Sequence, residues 1–469
     1  LNPELFYSRH GLRWKFWDFF VGMLAFSIGF YVSPYYIPLE TVSQALPGDI
    51  VHTIPRWYFM VIAGGGFGFV LATASQVCGV PLPETRSSNY ELATTCALAI
   101  CGSTIVFFAL LFLYRPHGYG RIIVFTAAVG SYILIFLPRY LMQHLIKRQP
   151  INVVLYGAGD AGGACRNRIK DSPFFKVQGY LDADGDLHKT EQHGAPVVGS
   201  IQDFESGEIP DVACDVVVIC VAQNLGKENA KSLLKLPMYG VEVLTMGAFI
   251  EFYFKEVSLD YDCPYWMASS RSVPGNASIF VATRLLDIIG SGIGLLLTAP
   301  FWPLVALAIK LDSKGPVFFK QTRVGRFGRN FGIFKFRTMG TDAEKDGPKW
   351  ATQDDPRVTR LGKFLRKSRI DELPQLWNVF KGEMALVGPR PERPEFVNEL
   401  QSDFPLYARR HLVPPGLTGW AQIRYHYGAS KEDAKRKLEY ELYYIRHLSI
   451  VFDLEIIFKT VPMLMKGSR

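Results

Sequence analysis

A chain of 469 residues has room for roughly two to four domains. Its 49% hydrophobic and 14% aromatic content is clustered in the first 150 residues, which excludes an ordinary soluble domain there. The net charge of +8 suits an anionic partner such as nucleic acid, anionic lipid or a nucleotide-sugar, and the seven cysteines form no CxxC pair and no zinc-like spacing.

Residues 1–16 set Arg9, Arg13 and Lys15 ahead of the first apolar run. No short apolar core with a small-residue cleavage site follows, so a cleaved signal peptide is not expected. Apolar segments near 17–37, 57–80, 92–114 and 121–142 each have the length that crosses a hydrocarbon layer of about 30 Å as a helix. Aromatic residues crowd their ends (Trp14, Trp17, Tyr35, Tyr36, Trp57, Tyr58, Tyr114, Tyr119, Tyr140), as lipid headgroups favour. A buried four-helix core would accept the same pattern, but charge is nearly absent from the segments. Residues 1–148 are therefore expected to form a four-helix transmembrane bundle. The basic residues before the first segment and at Arg139, Lys147 and Arg148 after the fourth put both ends inside.

Residues 149–250 change character. Apolar runs at Ile151–Leu155, Val177–Leu181, Asp215–Val221 and Val241–Thr245 alternate with helix-like stretches, which predicts a Rossmann-like parallel α/β domain. Gly157, Gly159 and Gly162 close the first run as GxGxxG, and Asp182 follows as a dinucleotide fingerprint would have it. The same glycines also serve plain strand–helix packing, and no Tyr-x-x-x-Lys pair is evident, so NAD is not expected. Residues 251–278 read as a linker carrying Phe252, Tyr253, Phe254, Tyr261, Tyr265 and Trp266.

Ile288 through Ile309 is long and apolar enough to span, yet Pro300 and Pro303 interrupt it. Proline removes a backbone donor and crowds the preceding turn, so a break is expected at Pro300. A kinked fifth span and a re-entrant hairpin, about residues 284–311, both fit. Beyond it Lys320, Arg323, Arg326, Arg329 and Lys335 come without one acidic residue, and Lys335 and Arg337 alternate with Phe334 and Phe336. Leu361 to Arg369 reads as an interfacial amphipathic helix. Then Asp371 and Glu372 stand side by side, and Arg390 follows between Pro389 and Pro391. Carboxylates among cations suit chemistry on a phosphate ester: the cations offset phosphate charge, and a carboxylate attacks phosphorus or holds a divalent metal.

Five ordered blocks carry a resemblance. They are Phe318 to Gly325, Phe334 to Met339, Asp371 to Gln375, Val387 to Pro391 and Pro415 to Gly419. Together they resemble the bacterial sugar transferases, or polyisoprenyl-phosphate hexose-1-phosphate transferases (monotopic phosphoglycosyl transferases), over about residues 275–469, and the whole layout resembles the long form of that family. The resemblance implies an α/β catalytic domain over 279–469 with a re-entrant membrane helix, on the cytoplasmic face of a bacterial inner membrane. It implies transfer of hexose-1-phosphate from a UDP-sugar to undecaprenyl phosphate, with UMP released, as the first membrane step of O-antigen or other polysaccharide synthesis. The sugar implied is galactose, with glucose next.

In this resemblance Asp371 is the nucleophile of a covalent intermediate. Glu372 serves the metal or proton handling, and Asp371 and Glu372 together are the expected Mg²⁺ ligands. Arg390, Lys335, Arg337 and Arg323 are expected to meet the substrate phosphates or uridine. Partners expected are UDP-galactose or another UDP-hexose, undecaprenyl phosphate, an anionic bilayer and a second copy of the chain, but no nucleic acid. The family's Tyr-Asp-x-x-Tyr is here Tyr440-Glu441-Leu442-Tyr443-Tyr444, which leaves the role of Glu441 open.

Overall fold

The computed structural model describes residues 15–28, 56–78, 80, 89–114, 121–145, 150–207, 212–221, 225–259, 277–341, 343, 355–425 and 430–466. The aromatic positions Trp14, Tyr35, Tyr36 and Tyr119, and the stretch 260–276, lie outside them. The chain divides into two compact units, residues 1–148 and 149–469.

In the first unit the described helices are α1 (15–28), α2 (Arg56–Val77), α3 (Asn89–Tyr114) and α4 (Arg121–Leu145). All four contribute to one apolar core that includes Phe26, Phe67, Leu71, Leu92, Cys96, Ile123 and Ile135. Their outer faces leave Phe69, Ile105, Phe125 and Ile133 exposed. The backbones of α1 and α2 approach closely at two glycines: a Cβ on Gly68 would stand 2.3 Å from the Phe19 carbonyl oxygen. Such small-residue contacts are usual where apolar helices pack. Buried Asp18 and Arg139 pair at 2.9 Å and tie α1 to α4. Among the described residues of this unit the stretch long and apolar enough to cross a membrane is Ile123–Met142, while Val61–Gln76 and Thr95–Ala109 are shorter apolar helices.

The second unit begins with an α/β layer. Strands β1 (Ile151–Tyr156), β2 (Phe175–Leu181), β3 (Glu191–Gln192), β4 (Ala195–Gly199), β5 (Val216–Ile219) and β6 (Glu242–Thr245) form one sheet in the order β3-β4-β2-β1-β5-β6. Every pairing is parallel except β3 with β4. Helices α5 (Asp160–Ile169), α6 (Ile201–Ser206), α7 (Lys227–Lys235) and α8 (Met246–Phe254) cover it. Cys165, Ile169, Phe249 and Ile250 of α5 and α8 pack on one face, and Ile201 and Leu233 of α6 and α7 on the other. With both faces covered, β1 and β5 carry continuous buried runs rather than alternation.

The boundary expected at residue 250 falls inside α8. Of the aromatic residues assigned to a linker, Phe252, Tyr253 and Phe254 belong to this helix, where Tyr253 and Phe254 pack on Phe175 and Phe249; Tyr261, Tyr265 and Trp266 lie outside the described residues. Lys255 ends α8 in the left-handed region (φ 56°). The chain then runs directly onto the C-terminal part of the unit: Trp420 Nε1 donates to the Lys255 carbonyl at 2.9 Å, and the Val257 amide to the Glu439 carbonyl at 3.0 Å.

Helix α9 (Ala277–Thr298) continues through a 3₁₀ turn (Ala299–Phe301) into α10 (Trp302–Asp312). Pro300 lies in that turn and Pro303 in the first turn of α10, where a missing N–H costs no helical bond. Together Ile279–Asp312 is the second stretch long and apolar enough to cross a membrane, and only 6% of its apolar window is buried. The rest is a β7 (Phe318–Val324) and β8 (Asn330–Phe336) hairpin, α11 (Arg360–Lys367), α12 (Gln375–Lys381), β9 (Ala385–Val387), α13 (Pro394–Asp403), β10 (Gly416–Thr418), α14 (Trp420–Arg424), α15 (Lys431–Arg446) and α16 (Ile450–Lys466). Trp420, Val413, Leu438, Ile445 and Ile456 lie in its largest core.

Both halves of the apolar helix grip this domain. On α9, Arg284 donates to the Val379 and Phe380 carbonyls at the end of α12, both at 2.7 Å, and Asp287 accepts from the Leu386 amide of β9 at 2.7 Å. On α10, Ile309 is buried with Phe336 and Leu365. Arg284 caps the end of α12: it bonds the Phe380 carbonyl and adds a second donor to the Val379 carbonyl, which also accepts from the Gly382 amide. Arg284→Ala is expected to lower stability by about 1–3 kcal/mol, read as a lower melting temperature of the detergent-solubilised protein.

Candidate active site

The site is built at a strained turn. Helix α11 ends at Ser368, and Arg369 takes a left-handed conformation (φ 56°) unusual for a residue with a Cβ. A 3₁₀ turn over Ile370–Glu372 follows, and Pro374 precedes α12. This path turns both acidic side chains inward: Asp371 is 7% exposed and Glu372 is 8% exposed.

Three cations from three segments converge on Glu372. Lys335 Nζ of β8 lies 2.9 Å and Arg390 Nη2 2.7 Å from Oε1, and Arg369 Nη1 lies 3.4 Å from Oε2. Burial alone would raise this carboxyl, but Arg390, Lys335 and Arg369 outweigh it and hold Glu372 well below the usual range. Asp371 differs. Its Oδ1 is buried and makes no hydrogen bond. Burial first, and the Glu372 charge second, raise it to about 6, against the pull of Lys335, Arg366 and Arg390. One carboxylate is therefore fully engaged as an anion, while its neighbour keeps an oxygen open beside the same cations.

The site thus brings together Asp371, Glu372, Lys335 and Arg390. It does not gather the other two expected residues. Arg323 donates to the Pro391 carbonyl (3.1 Å) and to Gln321 Oε1 (2.7 Å), bracing the loop after Arg390. Arg337 lies one residue past β8 and donates to the Ser313 carbonyl and hydroxyl at 2.7 and 2.9 Å, at the exit of α10. Its guanidinium packs on Gly315 (φ 129°), where a Cβ would stand 2.2 Å from Nη1. The alternation that grouped Lys335 with Arg337 ends with the strand, and the arginine serves the turn that leaves the apolar helix.

Sequence reasoning missed Arg369, whose role depends on a backbone conformation, and Arg410. Among the described residues no group of three or more His, Cys, Asp or Glu side chains is placed to hold a metal. The pair itself suits Mg²⁺, which commonly takes one or two carboxylates plus substrate phosphate oxygens. Asp371 and Glu372 are the residues that would hold it, alongside substrate phosphate oxygens. In the α/β layer, Asp182 accepts from the Ala158 amide at 2.7 Å and from the Asp184 amide at 3.0 Å. A Cβ on Gly162 would stand 2.0 Å from the Gly157 carbonyl oxygen. There the glycines and the acid close the loop on itself.

A family model described as bacterial sugar transferase matches residues 278–467, which contain the whole cluster. The exopolysaccharide production protein PSS of Rhizobium leguminosarum bv. phaseoli is 44% identical over 190 residues, covering 39% of this chain and 94% of that protein. The chain belongs to the bacterial sugar transferase family. Two longer relatives are also similar. The UDP-N-acetylgalactosamine-undecaprenyl-phosphate N-acetylgalactosaminephosphotransferase of Aeromonas hydrophila is 46% identical over 184 residues, 39% of this chain and 44% of that protein. The undecaprenyl-phosphate glucose phosphotransferase of Komagataeibacter xylinus is 33% identical over 354 residues, 71% of this chain and 61% of that protein. The matches thus span 44% and 61% of those two relatives. Asp371, Glu372, Lys335 and Arg390 all lie within the stretch that defines the sugar transferases.

Proposed function

We propose that this protein moves hexose-1-phosphate from a UDP-hexose to undecaprenyl phosphate at a membrane surface. The observation that carries the reading is the buried Asp371 with an open oxygen, set beside a carboxylate that collects Lys335, Arg369 and Arg390. A nucleophile must be ionised but uncommitted, and cations must face the phosphoryl oxygens. The open oxygen of Asp371 and the cations gathered on Glu372 support both roles. The names of the two longer relatives, a glucose and an N-acetylgalactosamine phosphotransferase, support the reaction class.

In the proposed route an Asp371 oxygen forms a bond to the phosphorus that carries the sugar. The bridging P–O bond breaks, and UMP leaves with its electron pair. An oxygen of the lipid phosphate then attacks the same phosphorus and returns the Asp371 carboxylate. Bound Mg²⁺ would neutralise diphosphate charge. Lys335, Arg369 and Arg390 orient the phosphates around Glu372, which holds the three cations in place.

The membrane reading has its own support. The two ends of α9–α10 hold the same domain through Arg284, Asp287 and Ile309, while Leu296, Leu297, Phe301 and Leu304 near the 3₁₀ turn are exposed. A straight helix through a bilayer would carry one end away from the domain, so a re-entrant hairpin at Pro300 suits these contacts better. The four helices of the first unit are read as a transmembrane bundle that keeps the catalytic domain on the cytoplasmic face, where a UDP-sugar is available.

The test is purified protein in detergent with Mg²⁺, undecaprenyl phosphate and a UDP-hexose, read as UMP and a lipid-linked diphosphate sugar. Galactose is the first sugar to try, against glucose and N-acetylgalactosamine. No product with any of them overturns the reading. Because Asp371 attacks only when ionised, kcat/KM is expected to fall tenfold per pH unit below about 6, as a pH–rate profile would show.

A further inference from the structure

Arg390 is held by its side chain to Glu372, but its backbone is held too, from both sides. Arg410, 4% exposed, donates from Nη2 to the Arg390 carbonyl oxygen at 2.7 Å. Glu441, 5% exposed, accepts from the Arg390 amide. The two are bonded to each other in a fork: Nε to Oε2 at 2.8 Å and Nη2 to Oε1 at 2.7 Å. The remaining nitrogen, Nη1, donates to the Tyr407 hydroxyl at 2.8 Å. Arg410 thus has a partner for each of its three nitrogens, and the closed pair clamps one residue of the catalytic loop. Nothing else in the core requires an ion pair here: the neighbours Val413 and Leu438 belong to an apolar cluster that hydrophobic residues would fill equally well.

We infer that the Arg410–Glu441 pair is the positioning device for Arg390, fixing the height and rotation at which its guanidinium meets Glu372 and a bound phosphate. The inference rests on the phosphoglycosyl transfer reading above. It assigns a role to Glu441, which the sequence leaves open. A planar, permanently charged fork is needed to hold a carboxylate and a carbonyl at once, which lysine cannot do. Helix α15, which carries Glu441, is itself anchored. Two residues earlier Glu439 pairs with Arg436 and with Arg168 of α5 at 3.2 Å, and Arg436 also reaches Glu256 at 2.9 Å. The clamp is therefore built on a helix tied to the α/β layer rather than on a loose loop.

The experiment is a double-mutant cycle on the full-length protein in detergent, with turnover measured per folded molecule. Arg410→Lys and Glu441→Gln are each expected to lower kcat/KM about 10- to 100-fold, as a displacement of about 1 Å in a catalytic group does. Arg390→Ala alone should cost at least as much. In the Arg390→Ala background, adding Arg410→Lys or Glu441→Gln should cost less than about threefold more, because the clamp would have nothing left to place. Losses that multiply in the double variants, or single variants that keep wild-type turnover, overturn the inference, as does unfolding of both single variants, which would make the pair a folding element. A wild-type protein that transfers no sugar phosphate would instead defeat the underlying reading, so the two failures are distinct.

Discussion

Asp371→Asn is expected to abolish transfer, lowering kcat by about 10³-fold or more, while leaving the fold at least as stable as the wild type near neutral pH. The amide cannot form the bond to phosphorus, so its loss is a loss of chemistry. The stability follows from the raised pKa of Asp371. In the folded protein Asp371 ionises near pH 6 rather than at the usual 3.8, so the folded state binds the proton more tightly than the unfolded chain. Stability therefore falls as pH rises from about 4 to about 6, by of order 2–3 kcal/mol. Asparagine has no charge to bury and escapes that cost. Melting temperatures at pH 4 and pH 7.5 check it: the variant's advantage should be present at the higher pH and shrink at the lower. A variant destabilised at pH 7.5 would show that the aspartate is a structural anion instead.

Glu372→Gln is expected to damage both fold and function. Glu372 is the anion among Lys335, Arg369 and Arg390. Removing its charge leaves partly buried cations facing one another and costs about 3–5 kcal/mol. With its folded-state pKa held low by the cations, Glu372 contributes stability that is present above its unfolded pKa and lost as pH falls through the folded one. Transfer should fall about 10²- to 10³-fold as the cations lose their alignment. The residual activity carries a sharper signature. Glu372 is one of the charges that raise Asp371, so the acid limb of the variant's pH–rate profile should move below 6. A limb that stays in place or rises would mean that the two carboxylates do not share one electrostatic site.

The candidate cluster was legible where it is local. Asp371 beside Glu372, Arg390 between two prolines and Lys335 in a basic strand can be read from neighbouring residues, and the fold does bring these four together. Arg337 stands apart from the cluster for a physical reason: strand alternation ends at Phe336, and the next side chain bonds to Ser313 across the α10–β7 turn. Arg410 and Glu441 are thirty-one residues apart in the chain, and no sequence period links a 3₁₀ segment to the middle of a helix. The aromatic cluster at 252–254 lacked a helical repeat, yet it completes the sheet's core through Phe175 and Phe249. The two-residue strand β3 is too short to leave a pattern. Long-range pairings were most of what the sequence withheld.

The most direct test of the covalent route is to incubate the purified protein with Mg²⁺ and a UDP-hexose in the absence of lipid phosphate, and to weigh the intact chain. The account predicts a hexose-phosphate adduct that maps to the peptide containing Asp371, disappears on addition of undecaprenyl phosphate, and is absent from Asp371→Ala. An adduct that persists in Asp371→Ala, or lipid-linked product made at wild-type rates by that variant, would contradict it.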